Sequence, residues 1–212
     1  MTKAKRAAPS RKPPQQSRAR VTVAAILEAT IRVLEQEGAE AATTSRIAEV
    51  AGVSVGTLYQ YFANRDAIVD ALQEREFERA SEMLQRTLGS ADFTSERQLA
   101  RAVISGLLEL YRAAPALHRL FVLDGLRITP AERVRAFDLR SIEILRSFLS
   151  VTPWPVASRN PAVTAFILYQ SVRATMLAYM LEAPPSISDV VLVDELTDLV
   201  LCYLMVPRAE AD

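Results

Sequence analysis

The 212-residue chain is half hydrophobic, with 25 basic and 25 acidic side chains, one cysteine and one histidine. That is enough apolar material for a core without staples, and the single Cys202 excludes an internal disulfide and fits a reducing compartment. A Cys/His zinc site is excluded in practice, a Ser-His-Asp or Cys-His catalytic unit would have to use His118 as its base, and no metal or cofactor is expected.

The zero net charge is unevenly spread. The first 20 residues hold Lys3, Lys5, Arg6, Arg11, Lys12, Arg18 and Arg20 and no acid. Through Asp66 there are 10 basic against 6 acidic residues, and from Ala67 onward 15 against 19. A basic front on an acidic body is read either as a polyanion-binding end or as a solvated tail. The basic run leads into Pro-Pro-Gln-Gln and not into an apolar segment, so it is not a secretory signal. The most apolar stretch, Pro161 to Leu181, contains Gln170 and Arg173 and reads as a buried helix, not a membrane span. A cytoplasmic protein with no membrane partner is expected.

In chain order, residues 1–17 are expected to be a disordered basic tail, since they offer nothing apolar to anchor them. Val23, Ile26, Leu27, Ile31 and Leu34 recur at helical spacing and predict a helix from about Arg18 to Glu37, stopped by Gly38. Thr44 is expected to cap a short helix bearing Ile47, Ala48 and Val50, ended by Gly52. Ser54 caps the next, and Asn64 a long one reaching Leu88, where Gly89 stops it. Ser95 with Gln98 forms a capping-box pattern for a helix to about Ala113. Pro115 opens a shorter helix ending near Gly125. Thr129-Pro130-Ala131-Glu132 predicts a boxed start for a helix to about Leu149. Trp154 lies in the following loop and is expected to anchor it. Asn160-Pro161 opens a helix to about Leu181, Pro184-Pro185 breaks it, and the last runs from about Asp189 to Met205. No segment alternates with period two, so the fold class is all-α with no sheet.

Residues 43–62, TTSRIAEVAGVSVGTLYQYF, hold two short helices about a glycine turn. This spacing defines a helix-turn-helix whose second helix enters the major groove. On that helix Leu58 and Phe62 face inward with Ile47 and Val50, Gly56, Thr57 and Gln60 lie opposite, and Tyr59 and Tyr61 flank them. Their hydroxyls suit phosphate oxygens, Gln60 suits adenine, Ser54, Val55 and Thr57 can add hydroxyl or apolar contacts, and Gly56 lets the backbone approach a base edge or a phosphate.

Residues 20–72 resemble the amino-terminal domain of the TetR family of transcriptional regulators. The resemblance rests on Glu35-Gln36-Glu37-Gly38, Thr43-Thr44-Ser45-Arg46-Ile47-Ala48, Ala51-Gly52-Val53-Ser54, Gly56-Thr57-Leu58-Tyr59-Gln60-Tyr61-Phe62 and Asn64-Arg65-Asp66-Ala67-Ile68. Arg65 stands where the family often has lysine and keeps the charge. The resemblance implies an N-terminal three-helix helix-turn-helix DNA-binding domain over 18–66. It also implies a larger C-terminal helical domain over 67–212 for ligand binding and dimerisation. It implies a homodimer that usually represses transcription at a palindromic double-stranded DNA operator and releases it when a small-molecule effector binds. Thr44, Ser45, Tyr59, Tyr61 and Arg65 match phosphate-holding positions, and Val55, Gly56 and Gln60 match base-meeting ones. Arg46 serves either the interface or solvation. Arg18 and Arg20 either reach a flanking minor groove or are exposed charge.

The body carries no motif. Its last two helices offer more apolar surface than one core uses, which points to an interface. Polar or aromatic residues within its helices, Tyr111, His118, Phe121, Phe137, Arg140, Phe166, Tyr169, Gln170, Arg173 and Met176, are candidates for an effector pocket or for packing. A buried Arg173 needs a protein carboxylate, the other subunit or an anionic effector as partner. The mixture suggests an apolar or aromatic effector. A DNA-binding protein of this fold without an effector is the alternative. An enzyme is not expected, because no paired carboxylates, metal cluster, phosphate loop or activated nucleophile are evident.

Overall fold

The computed structural model describes residues 14–152, 160–182, 184 and 186–205, so Trp154 and most of the amino-terminal tail lie outside the described residues. All regular structure among them is helical: α1 (Pro14–Glu37), α2 (Thr44–Ala51), α3 (Val55–Tyr61), α4 (Arg65–Leu88), α5 (Glu96–Ala113), α6 (Pro115–Ile128), α7 (Ala131–Val151), α8 (Pro161–Glu182) and α9 (Asp189–Met205). Helix α1 starts four residues before the expected Arg18, so Pro14–Ser17 are helical. Proline is tolerated in a first helical turn and the Gln-Gln-Ser-Arg that follows has no helix breaker. The chain forms two compact units, Met1–Ile68 and Val69–Asp212. No described helix is long and apolar enough to cross a membrane.

The first unit is built on α1. Ile26, Ala29, Val33 and Leu34 are buried at helical spacing, and the buried Thr30 hydroxyl donates to the Ile26 carbonyl at 2.8 Å. Ile47, Ala48, Leu58 and Phe62 complete this core. The cap of α2 is Thr43, one residue before the expected Thr44. Thr43 has extended backbone and its hydroxyl accepts from the Arg46 amide at 3.2 Å, while Thr44 is already helical. Gly52, at φ 68, takes the left-handed turn that only a residue without Cβ adopts cheaply, and the Val53 amide closes onto Ala48 at 3.0 Å. The Ser54 hydroxyl accepts from the Thr57 amide at 3.0 Å to start α3, and Asn64 Oδ1 accepts from Ala67 at 2.8 Å to start α4.

In the second unit α7 packs along α8 and α5 along α9. Ile104, Leu108, Met176, Tyr179, Leu192, Val193 and Leu196 form one buried cluster from α5, α8 and α9. Along the antiparallel α5–α9 seam Arg97 meets Asp198 at 2.6 Å, Arg101 meets Asp194, and Arg112 grips Asp189 through Nε at 3.1 Å and Nη2 at 2.5 Å.

Two start and stop signals act differently from the sequence reading. Helix α6 passes through Gly125 to Ile128. Gly125 does not take positive φ and so is no left-handed stop; it lies within α6, next to the Gln73 amide. The Thr129–Glu132 box does not form, because the Thr129 hydroxyl is spent on Asp70 at 2.9 Å and Gln73 at 2.5 Å, and Pro130 takes the cap position of α7. At α5 the Ser95 hydroxyl accepts from the Gln98 amide at 3.3 Å, but the Gln98 side chain accepts from Thr94.

Candidate nucleic-acid interface and candidate effector cavity

Helix α3 separates its two jobs by face. Leu58 is 0% exposed, whereas Tyr59 and Tyr61 are 51% and 38% exposed and Val55, Gly56 and Gln60 are also open. The Tyr59 and Thr44 hydroxyls share a 3.2 Å hydrogen bond that ties α3 to the start of α2, next to exposed Ser45. Ser54 and Thr57 share another at 2.8 Å, so both hydroxyls are first engaged in capping. At Gly56 an added Cβ would meet nothing nearer than the Ser54 hydroxyl at 3.8 Å, and φ is not positive. The fold therefore does not require glycine there.

The two arginines behave differently from simple free cations. Arg46 forks onto Glu37 at 2.9–3.2 Å and also reaches Glu49 at 2.8 Å. The bonds to Glu37 first, then to Glu49, raise its pKa further, and the Arg46 bond holds Glu37 low. Arg65, half-buried, donates from Nη2 to the Ala39 carbonyl at 3.1 Å. That bond fastens the start of α4 to the turn after α1.

The second unit contains a cavity of about 410 Å³ lined by α4 through α9. Its wall is mostly Leu, Val, Phe and Met, with Phe77 and Phe137 stacked at 4.2 Å between ring centroids. Tyr111, His118, Phe121, Phe137, Tyr169 and Arg173 line it; Arg140, Phe166, Gln170 and Met176 do not. Arg140 is exposed on α7. On α8 Tyr169 and Arg173 line the cavity, whereas Phe166, one turn nearer the helix start, is 52% exposed and Gln170 is half-buried outside the lining. Met176 is fully buried in the α5–α8–α9 cluster. His118 Nδ1 meets the Ala114 carbonyl at 2.9 Å, and its ring stands edge-on to Tyr111 and Phe121.

The partner of Arg173 is Asp138, 3.5 Å from Nε. The Tyr169 hydroxyl donates to the same carboxylate oxygen at 2.6 Å. Burial, and then that bond, push the Tyr169 phenol up. Burial pushes Tyr111 up to about 12, with Arg173 pulling it down and Asp138 raising it. Both hydroxyls are therefore protonated donors at neutral pH.

Sequence reasoning missed Asp138 and the α4 contribution: buried Gln73 and Glu76 beside Phe77. Their neighbours in RDAIVDALQEREFERASEMLQRTL are mostly charged, so the stretch reads as a solvated face. The spacing of Gln73, Phe77, Ala80 and Leu84 was the available signal.

A helix-turn-helix with an open second helix, together with an all-helical unit holding an apolar cavity, defines a DNA-binding regulator fold. Residues 26–72 match the bacterial regulatory proteins of the tetR family, and residues 97–204, half of the chain, match the tetracyclin repressor-like C-terminal domain. The chain belongs to the TetR family of DNA-binding transcriptional regulators. Nucleoid occlusion factor SlmA of Haemophilus ducreyi is 30% identical over 135 residues, 57% of this chain and 63% of that protein. The HTH-type transcriptional regulator YvkB of Bacillus subtilis is 36% identical over 64 residues, 30% of this chain and 34% of its own. The chain thus matches less than two thirds of either relative. Among solved structures, a TetR-family regulator from Streptomyces coelicolor superposes with TM-score 0.59 at 25% identity, covering 86% of this chain and 96% of that one. FadR from Bacillus subtilis, in complex with stearoyl-CoA, superposes with TM-score 0.64 at 18% identity, covering 85% and 98%.

Proposed function

We propose that this regulator is a repressor that binds a palindromic operator as a homodimer and lets go when a lipophilic small molecule fills the cavity of the second unit. The observation that carries the DNA contact is the open face of α3. Two exposed tyrosines flank a glycine that the fold does not need, and Gly56 costs roughly 0.5–1 kcal/mol relative to alanine in a helix. That cost has a reason if a base edge or phosphate comes close. In this reading Thr44, Ser45, Tyr59, Tyr61 and Arg65 hold phosphates, and Val55, Gly56 and Gln60 meet bases. Arg46, already forked onto two carboxylates, contributes less. Exposed apolar residues on α8 and α9, Val163, Phe166, Val190 and Leu199 among them, supply the dimer face. Two copies then place their recognition helices about one DNA turn or a multiple apart.

Operator selection followed by anisotropy titrations tests this. Gln60→Ala is expected to cost about 1–3 kcal/mol on the selected site and to relax one base position. A loss equal on all sequences would move Gln60 to the phosphates.

A second reading keeps DNA binding and drops the effector. The likeness to a nucleoid occlusion factor, a name that speaks of the nucleoid and not of a ligand, favours it. A thermal-shift screen separates the two: stabilisation by lipophilic compounds supports the first, and none supports the second.

A further inference from the structure

The polar corner of the cavity has donors to spare and no charge to spare. The nearest Arg173–Asp138 contact is Nε to the carboxylate at 3.5 Å, too long for a good hydrogen bond. The facing carboxylate oxygen already accepts from Tyr169 at 2.6 Å. Among the described residues neither the Arg173 Nη groups nor the Tyr111 hydroxyl has a hydrogen-bond acceptor, although both residues line the cavity. An occupant of the cavity that brings acceptors can satisfy these donors. The formal charges, however, are already paired. Asp138 neutralises Arg173, Glu76 lies between Arg79 at 3.0 Å and Arg75 at 3.6 Å, and Glu96 adds a further carboxylate to the lining. An anionic head would bring one more negative charge into a wall that offers no uncompensated cation.

We propose that the effector is a neutral molecule, an apolar body carrying carbonyl-type oxygen acceptors, seated with those oxygens on Arg173 and Tyr111. The proposal rests on the effector reading above and narrows it: the cavity selects amides, esters or ketones over the matching free acids.

The test is calorimetric titration and thermal shift of the full chain with decanamide, methyl decanoate and decanoate, and with naphthamide and naphthoate, near pH ~7.5 where the acids are ionised. The neutral member of each series is expected to bind at least about tenfold tighter than its acid, the scale of a charge-assisted preference. Tyr111→Phe deletes a hydroxyl with no protein acceptor, so the unliganded melting temperature is expected to hold while amide affinity falls about five- to tenfold. Asp138→Asn removes the balancing charge and keeps an acceptor for Tyr169, so decanoate is expected to gain on decanamide. Acids binding as tightly as amides to the wild type would overturn the proposal and leave the effector reading standing. So would full amide affinity in Tyr111→Phe, even if the Asp138 variant failed to fold. No binding by any compound in either series would contradict the effector reading itself.

Discussion

The two units of this molecule place most of their aromatic rings in opposite directions. In the first, Tyr59 and Tyr61 stand outward from α3 while Phe62 and aliphatic residues of α1, α2 and α3 make a closed core. In the second, Phe77, Tyr111, His118, Phe121, Phe137 and Tyr169 turn inward around a space of about 410 Å³. A ring held in water gains nothing for folding, and an apolar wall around a void forfeits the contacts that would fill it. Each unit thus carries a local sacrifice of stability at the place where a partner would repay it, DNA outside the first and a small molecule inside the second.

The sharpest contrast is between buried and outward residues of the same helix. Met176→Ala, deep in the α5–α8–α9 cluster, is expected to cost about 2–5 kcal/mol in urea unfolding. Phe166→Ala, ten positions earlier on α8 but exposed, is expected to stay within about 0.5 kcal/mol for the monomer. Its effect is expected in sedimentation, as a weaker dimer. A large folding cost at Phe166 with no change in association would place it in the core after all.

A smaller effect separates folding from binding within the first unit. Gly56→Ala is expected to stabilise by about 0.5–1 kcal/mol, since a Cβ there has room and the helix gains a better former. The same change is expected to weaken operator binding. Opposite signs in melting and in anisotropy support a glycine kept for an outside partner, and equal signs count against it.

The smallest effect is at the α5–α9 seam. Asp189 lies below the ordinary carboxylate range because Arg112 grips it first and Tyr179 second. A depressed folded pKa means that its contribution is complete above about pH 4, the unfolded value, and is lost as pH falls through the lower folded one. The pair is about half exposed, so the expected loss is under about 1 kcal/mol. Asp189→Asn should flatten that part of the acid limb in urea titrations. An unchanged limb would mean the bond is not kept in solution.

The same contrast explains what could be read from sequence. The open face of α3 was legible because its residues follow each other within one turn-helix segment, where Gly52, Ser54 and the Leu58–Phe62 pair fix orientation locally. Most helix bounds followed from caps and breakers for the same reason. The errors came where a side chain had a distant use. Thr129 serves Asp70 and Gln73 instead of capping α7. Gly125 keeps helical backbone and does not end α6. The cavity was half legible. Its aromatic residues stood out, but how far along α8 the cavity extends depends on packing against α5, α6, α7 and α9, so Tyr169 and Arg173 could not be told from Phe166 and Gln170. Asp138, Gln73 and Glu76 look like solvated charge and amide until the fold surrounds them.

The most direct test of the central claim is binding of wild type and Tyr61→Ala to the DNA upstream of the protein's own gene, at low and moderate salt. The account predicts a tight, salt-sensitive complex for the wild type that the variant loses while keeping its helical content. Equal binding by the folded variant would contradict the assignment of the α3 face as the DNA-contacting surface.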